Sequence, residues 1–141
     1  MNTREKLFEQ LIENIRGVHQ GMLARGQKHD SLPHGQKTAL FVICASPNTN
    51  IKQLANKLKI TSGAATQHVE ALVRSGLVMR TENPNDRRNV VIAPTAKGEA
   101  YLKRMKDRMS ENLKDVFSVA TNDELEVYVR VLKKINNRLQ S

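Results

Sequence analysis

Apolar residues at Leu7, Leu11, Ile15, Val18 and Met22 recur every three or four positions, and Phe8 and Ile12 widen the stripe. That spacing predicts one long amphipathic helix whose broad apolar face needs a partner surface. Asn2 followed by Glu5 predicts a capping arrangement at its start, and the polar, breaker-containing stretch 26–31 ends it. Pro33 lies one turn ahead of Ala39, Leu40, Phe41, Ile43 and Cys44, which predicts a second helix opened by a residue without an N–H. The polar stretch 46–50 then breaks the chain.

A short third helix follows from Ile51, Leu54, Ala55 and Leu58, and Lys59, Ile60 and Thr61 make a tight connection. Over 62–75 the helical period returns, with Ala65, Val69, Leu72 and Val73 on one face, Thr61 or Ser62 as cap and Gly76 as stop. Two short helices joined in this way outline a helix-turn-helix. The β-rich runs 77–81 and 89–93 flank a polar stretch, 82–88, and predict a hairpin wing with Arg87 and Arg88 at its tip. Thr95 caps another long helix carrying Tyr101, Leu102, Met105, Met109, Leu113 and Val116. A last helix starts at Thr121, Asn122, Asp123 and Glu124 and carries Leu125, Tyr128, Val129, Leu132, Ile135 and Leu139. The fold class is therefore mainly α with a small β-hairpin, in one unit over 1–141.

Charge narrows the partner. Lys and Arg number 23 against 14 Asp and Glu, a formal charge of +9, and the pI is near 10.0. A polyanion is the natural ligand, and duplex DNA offers a dense line of phosphates whose counterions are released on binding. Charges at Arg4, Glu5, Lys6, Glu9 and Glu13 leave no apolar core for a secretory signal. The longest apolar run, 39–45, is far short of the roughly 20 residues that span a bilayer. No membrane partner and a cytoplasmic location are expected, and the single cysteine, Cys44, fits a reducing compartment.

On a helical wheel the apolar face of the fourth helix leaves Gly63, Thr66, Gln67, Glu70 and Arg74 pointing the other way. Ser62, Thr66 and Gln67 are short or amide side chains suited to base edges, and Gln bonds adenine at two places. Gly63 lets the backbone come close, while Glu70 is expected to face water. In the wing, Asp86 beside Arg87 and Arg88 is expected to orient one guanidinium while the other projects toward a narrow minor groove. The structural alternative is a solvated turn with a surface ion pair.

With these elements in order, the chain resembles the multiple antibiotic resistance regulator (MarR) family over nearly its whole length. The resemblance is carried by Leu32 and Pro33 with Gln36 and Leu40, by Leu54 and Ala55, and by Leu72 with Gly76, Leu77 and Val78. In the wing it is carried by Arg80, Pro84, Asp86, Arg87, Arg88, Ile92, Thr95 and Gly98, the Asp-Arg-Arg turn before Thr-x-x-Gly being the specific part. It implies a homodimeric winged helix-turn-helix transcription regulator, a repressor more often than an activator. The winged DNA-binding part covers 33–94, and helical dimerisation parts cover 1–30 and 95–141. It further implies reading helices in successive major grooves of a pseudo-palindromic operator, Arg88 in the minor groove and Arg87 on phosphate. Gln67 and Ala71 stand where many members carry a basic residue, and Pro94 replaces a common Leu.

Tyr101, Met105 and Met109 are candidates to line a small-molecule effector pocket between the long helix and the winged part, with core packing as the alternative. Cys44, in an apolar run, reads as a small buried hydrophobe, with a redox-responsive regulator as the alternative. His19, His29 and His34, with Glu13 and Asp30, lack metal-ligand spacing, and His68 borders the apolar face of the fourth helix as a packing residue or phosphate contact. No nucleophile motif, phosphate loop or paired-carboxylate site supports an enzyme, and no cofactor is expected. A helical interaction protein whose charge serves only solubility is the remaining class.

Overall fold

The computed structural model describes residues 2–27, 32–46 and 48–141. The chain divides into two compact units, Met1–Glu99 and Ala100–Ser141. The first begins with α1 (Thr3–Gln27), where the Asn2 N–H donates to Glu5 Oε2 at 2.8 Å and Asn2 Oδ1 accepts the Arg4 N–H at 3.3 Å. The Asn2 and Glu5 cap is thus formed, with the Asn2 side chain accepting from a backbone N–H one residue earlier than in a full capping box. The apolar stripe of α1 is exposed along its length, Leu7, Ile12 and Ile15 each by more than half.

The core of this unit is built by α2 (His34–Ala45), α3 (Ile51–Leu58), α4 (Ser62–Arg74) and a hairpin of β1 (Val78–Asn83) and β2 (Asp86–Pro94). Helix α2, with Ala39, Leu40 and Ile43 buried, packs against α3, α4 and β2; Leu54, Ala55, Ala65, Val69, Leu72, Val78, Val91 and Ile92 are the other buried members of this core. Pro33 is the N-cap of α2 itself, and its carbonyl accepts the Lys37 N–H at 3.0 Å. Asn50 and Gln53 form a capping box that starts α3, a signal the apolar spacing alone does not carry. Thr61 caps α4, accepting the Ala64 N–H at 3.1 Å.

Two expectations are corrected. The stretch 82–88 is not one long turn: Glu82 and Asn83 extend β1, Asp86, Arg87 and Arg88 belong to β2, and only Pro84 and Asn85 turn. Strand pairing uses backbone groups, so it continues past the last apolar side chain that periodicity can detect. The break at 46–50 also contributes structure, because Thr49 forms an isolated bridge to Ile92, whose N–H donates to the Thr49 carbonyl at 2.7 Å. One residue of pairing has no period to read.

The joint after α4 explains three residues of the motif. Gly76, at φ 71°, is left-handed, the Leu77 N–H donates to the Leu72 carbonyl and the Gly76 N–H to the Val73 carbonyl, so a paired C-terminal turn closes α4. Thr95 then donates its hydroxyl to the Gly76 carbonyl at 2.6 Å and accepts the Gly98 N–H at 3.0 Å, capping α5 (Ala96–Val116). At Gly98 an added Cβ would overlap the Leu77 carbonyl oxygen.

In the second unit, α5 is followed by a 3₁₀ turn, Phe117–Val119, and α6 (Asn122–Gln140). Thr121 and Glu124 form a full capping box, and the Phe117 and Tyr128 rings lie 5.4 Å apart. Those backbone and hydroxyl hydrogen bonds from Thr121 hold the Glu124 carboxyl below the usual carboxylate range. On α6, Val127, Tyr128, Val129, Val131, Leu132 and Ile135 all remain exposed.

Candidate nucleic-acid interface

Helix α4 is anchored on one side and bare on the other. Ala65, Val69 and Leu72 are fully buried, whereas Ser62, Gly63, Gln67, Glu70 and Arg74 are exposed and Thr66 is half-buried. The Thr66 hydroxyl donates to the Ser62 carbonyl at 2.9 Å, which fixes its rotamer. A Cβ at Gly63 would meet only Thr61 Oγ1, at 3.9 Å, so no packing within the fold demands a glycine there. An outer partner that comes close to the backbone would.

The wing lies immediately after this helix in the chain. Pairing runs from Val78 opposite Pro94 to Glu82 opposite Val90, then slips so that Asn83 faces Asp86. Arg87, Arg88 and Asn89 are therefore bulged, with no residue opposite them on β1. The Asp86 carboxylate does not hold a guanidinium as the sequence led us to expect. Its Oδ1 accepts the Arg88 N–H at 3.1 Å and its Oδ2 accepts Asn89 Nδ2 at 3.1 Å. A peptide N–H two residues away is already in place, whereas a guanidinium must first be immobilised. Asp86 thus shapes the bulge, and the exposed Arg87 and Arg88 side chains have no carboxylate partner among the described residues. Asn89 is the member of this site that sequence reasoning missed; its position three residues after Asp86 is the only signal.

Together these elements present short polar side chains on a helix and two cations on a ribbon, a pair matched to base edges and phosphates. The MarR family model matches residues 32–90, the stretch that holds α2, α3, α4 and most of the wing. Over 125 residues the chain is 32% identical to the HTH-type transcriptional regulator YcgE of Bacillus subtilis, covering 89% of this chain and 79% of that relative. The chain belongs to the MarR family. As a MarR-family protein it is a DNA-binding transcription regulator. It is also 26% identical over 139 residues to the regulator TcaR of Staphylococcus aureus, covering 96% of this chain and 91% of TcaR. In fold, this MarR-family chain is similar to a MarR family protein from Bacillus stearothermophilus at a TM-score of 0.85 and 22% identity, with coverage of 100% and 99%. It is similar to a multiple antibiotic-resistance repressor from Listeria monocytogenes at 0.72 and 25%, with coverage of 99% of both chains. MarR family regulators typically dimerise.

The remaining candidates take these places. Tyr101, Met105 and Met109 share one face of α5; the first two are half-buried and Met109 is 58% exposed. A shallow groove lies instead along α6, lined by Leu125, Glu126, Val129, Arg130 and Lys133. Cys44, the chain's single cysteine, is half-buried on α2. Among the described residues no three His, Cys, Asp or Glu side chains converge; His29 and Asp30 lie outside those residues. Among the described residues no helix is long and apolar enough to cross a membrane.

Proposed function

We propose that the chain acts as a homodimeric, non-enzymatic repressor in the cytoplasm, reading a pseudo-palindromic operator with two copies of α4. Residues 33–94 form the reading part, and 1–30 with 95–141 form the dimerisation part. Ser62, Gly63, Thr66 and Gln67 meet base edges in the major groove, Arg74 and Arg87 meet phosphate, and Arg88 enters the minor groove from a bulge set by Asp86. The observation that carries this reading is the pairing of an outward polar face on a core-anchored α4 with unpartnered arginines on the wing. The exposed apolar faces of α1 and α6 support the homodimer. A small apolar effector that engages Tyr101, Met105 and Met109 would release the DNA by changing the separation of the two reading helices.

Selection of binding sites from random duplex, followed by fluorescence anisotropy on the winning sequence, tests the reading. A two-fold-related sequence is expected to emerge. Gln67→Ala should relax the preference at one base position, at a cost of about tenfold or more in affinity for the winner. Arg88→Ala should weaken binding most on A·T-rich flanks. Recovery of no preferred sequence by the unsubstituted protein would overturn the proposal.

A further inference from the structure

Gly35, in the first turn of α2, lies against the His68 ring on α4. A Cβ at position 35 would sit 2.6 Å from His68 Cε1, 2.8 Å from Nε2 and 3.4 Å from Nδ1. Unstrained carbon contacts need about 3.5 Å or more, so a methyl group here falls short of its space by about an ångström. The glycines of α1 behave differently: at Gly17, Gly21 and Gly26 an added Cβ meets nothing within 4 Å.

Placement gives this contact a role. Stepping by four along α2, position 35 leads to Ala39 and Ile43, both fully buried, and the helix packs on α4 along that line. On α4, His68 follows Ala65 by three and precedes Val69, so it stands at the edge of the buried face, half-exposed. Its immediate neighbours outward are Thr66 and Gln67. The far end of α4 is fixed by Leu72 and by the Gly76 turn. Midway along α4, one turn after the buried Ala65, the ring of His68 rests on bare backbone at Gly35, so this contact bears on how close the first half of the helix comes to α2.

We propose that Gly35 and His68 form a positioning lock for the reading helix, setting the height of its 62–67 end and hence the discrimination between operator and unrelated duplex. The lock rests on α4 being the helix that reads bases. Neither residue touches DNA; His68 acts through the placement of Thr66 and Gln67. Base readout tolerates errors on the order of 0.5 Å, so the part of the shortfall at position 35 that the His68 ring passes to α4, and does not absorb by turning, decides how far Thr66 and Gln67 are misplaced.

The experiment is a bump and its relief. Gly35→Ala, His68→Ala and the double variant are compared with the unsubstituted protein for affinity toward the selected duplex and toward a scrambled duplex, alongside thermal unfolding. Gly35→Ala is expected to lose about tenfold in affinity for the selected duplex, with a change under about threefold on the scrambled one. Adding His68→Ala should restore the selected affinity to within about threefold of the His68→Ala level. Binding by Gly35→Ala equal to that of the unsubstituted protein, or a loss that His68→Ala does not relieve in a folded double variant, overturns the lock. Should Gly35→Ala not fold, His68→Ala alone decides: lowered discrimination at unchanged melting temperature supports the lock, and unchanged discrimination overturns it. Failure of the base-reading premise is separate, since Gln67→Ala would then leave selected binding intact.

Discussion

A methyl group on Gly98 would overlap the Leu77 carbonyl oxygen, an atom already held from another direction by the Thr95 N–H at 3.1 Å. Backbone on both sides leaves nothing flexible to move aside, unlike the Gly35 site where a side chain faces the glycine. Gly98→Ala is therefore expected to destabilise the fold by about 2–3 kcal/mol, read from the shift in a denaturation midpoint. Thr49 carries the opposite prediction. It is buried and its Oγ1 has no hydrogen-bond partner among the described residues, while its carbonyl is needed for the bridge to Ile92. Thr49→Val keeps the shape and the backbone bond and removes the unsatisfied hydroxyl, so a gain of about 1 kcal/mol is expected in the same denaturation assay.

Elements differ in how plainly the sequence announced them. α1, α4, α5 and α6 were legible because a buried or partner-seeking face repeats with the helical period, and Thr61, Thr95 and Thr121 marked their starts or neighbours as caps. The wing was legible as a hairpin but not in length, since Glu82, Asn83 and Asp86 pair through backbone and carry no apolar side chain for periodicity to detect. Its bulge and the true partners of Asp86 depend on three-dimensional register, which no spacing encodes. Asp86→Ala should therefore loosen the bulge rather than break an ion pair; faster amide exchange at Arg88 and Asn89 with β1 unchanged is the expected result. For α6 the pH dependence follows from its cap. The Glu124 carboxyl is held below the usual range by Thr121, so the cap stabilises fully above the ordinary carboxylate pKa and is lost as pH falls through the lowered one. Thr121→Val keeps the backbone N–H, the larger cause, and removes the hydroxyl, so Glu124 should return only part of the way toward the ordinary range, a shift measurable by carboxyl carbon chemical shift against pH.

At the scale of the molecule, the exposed apolar faces of α1 and α6 and the +9 charge point to different consequences. In the proposed homodimer these apolar faces form the interface, so Ile12→Glu with Ile15→Glu is expected to shift sedimentation toward the monomer and weaken operator binding by about a hundredfold, two linked reading heads becoming one. The charge predicts steep salt dependence. Raising salt from 50 to 200 mM should cost about a thousandfold in affinity if six or so phosphates per dimer are contacted. Truncating Arg87 should flatten that slope, whereas Gln67→Ala should leave it unchanged. The architecture could be anticipated at this scale because order of elements, charge and the Asp-Arg-Arg turn agree with one another. The role of Tyr101, Met105 and Met109 could not, since they carry the same apolar signal whether they meet a ligand or a neighbouring helix.

The Thr95 hydroxyl joins the end of α4 to the first turn of α5 by bonds at 2.6 and 3.0 Å, with Lys97 Nζ adding a third tie to the Ser75 carbonyl at 2.9 Å. Anyone grafting this reading head onto the scaffold of a relative must respect that knot. A splice placed between Gly76 and Gly98 would separate donors from acceptors that match only within one parent, whereas a crossover after Glu99 transplants the whole fastening intact.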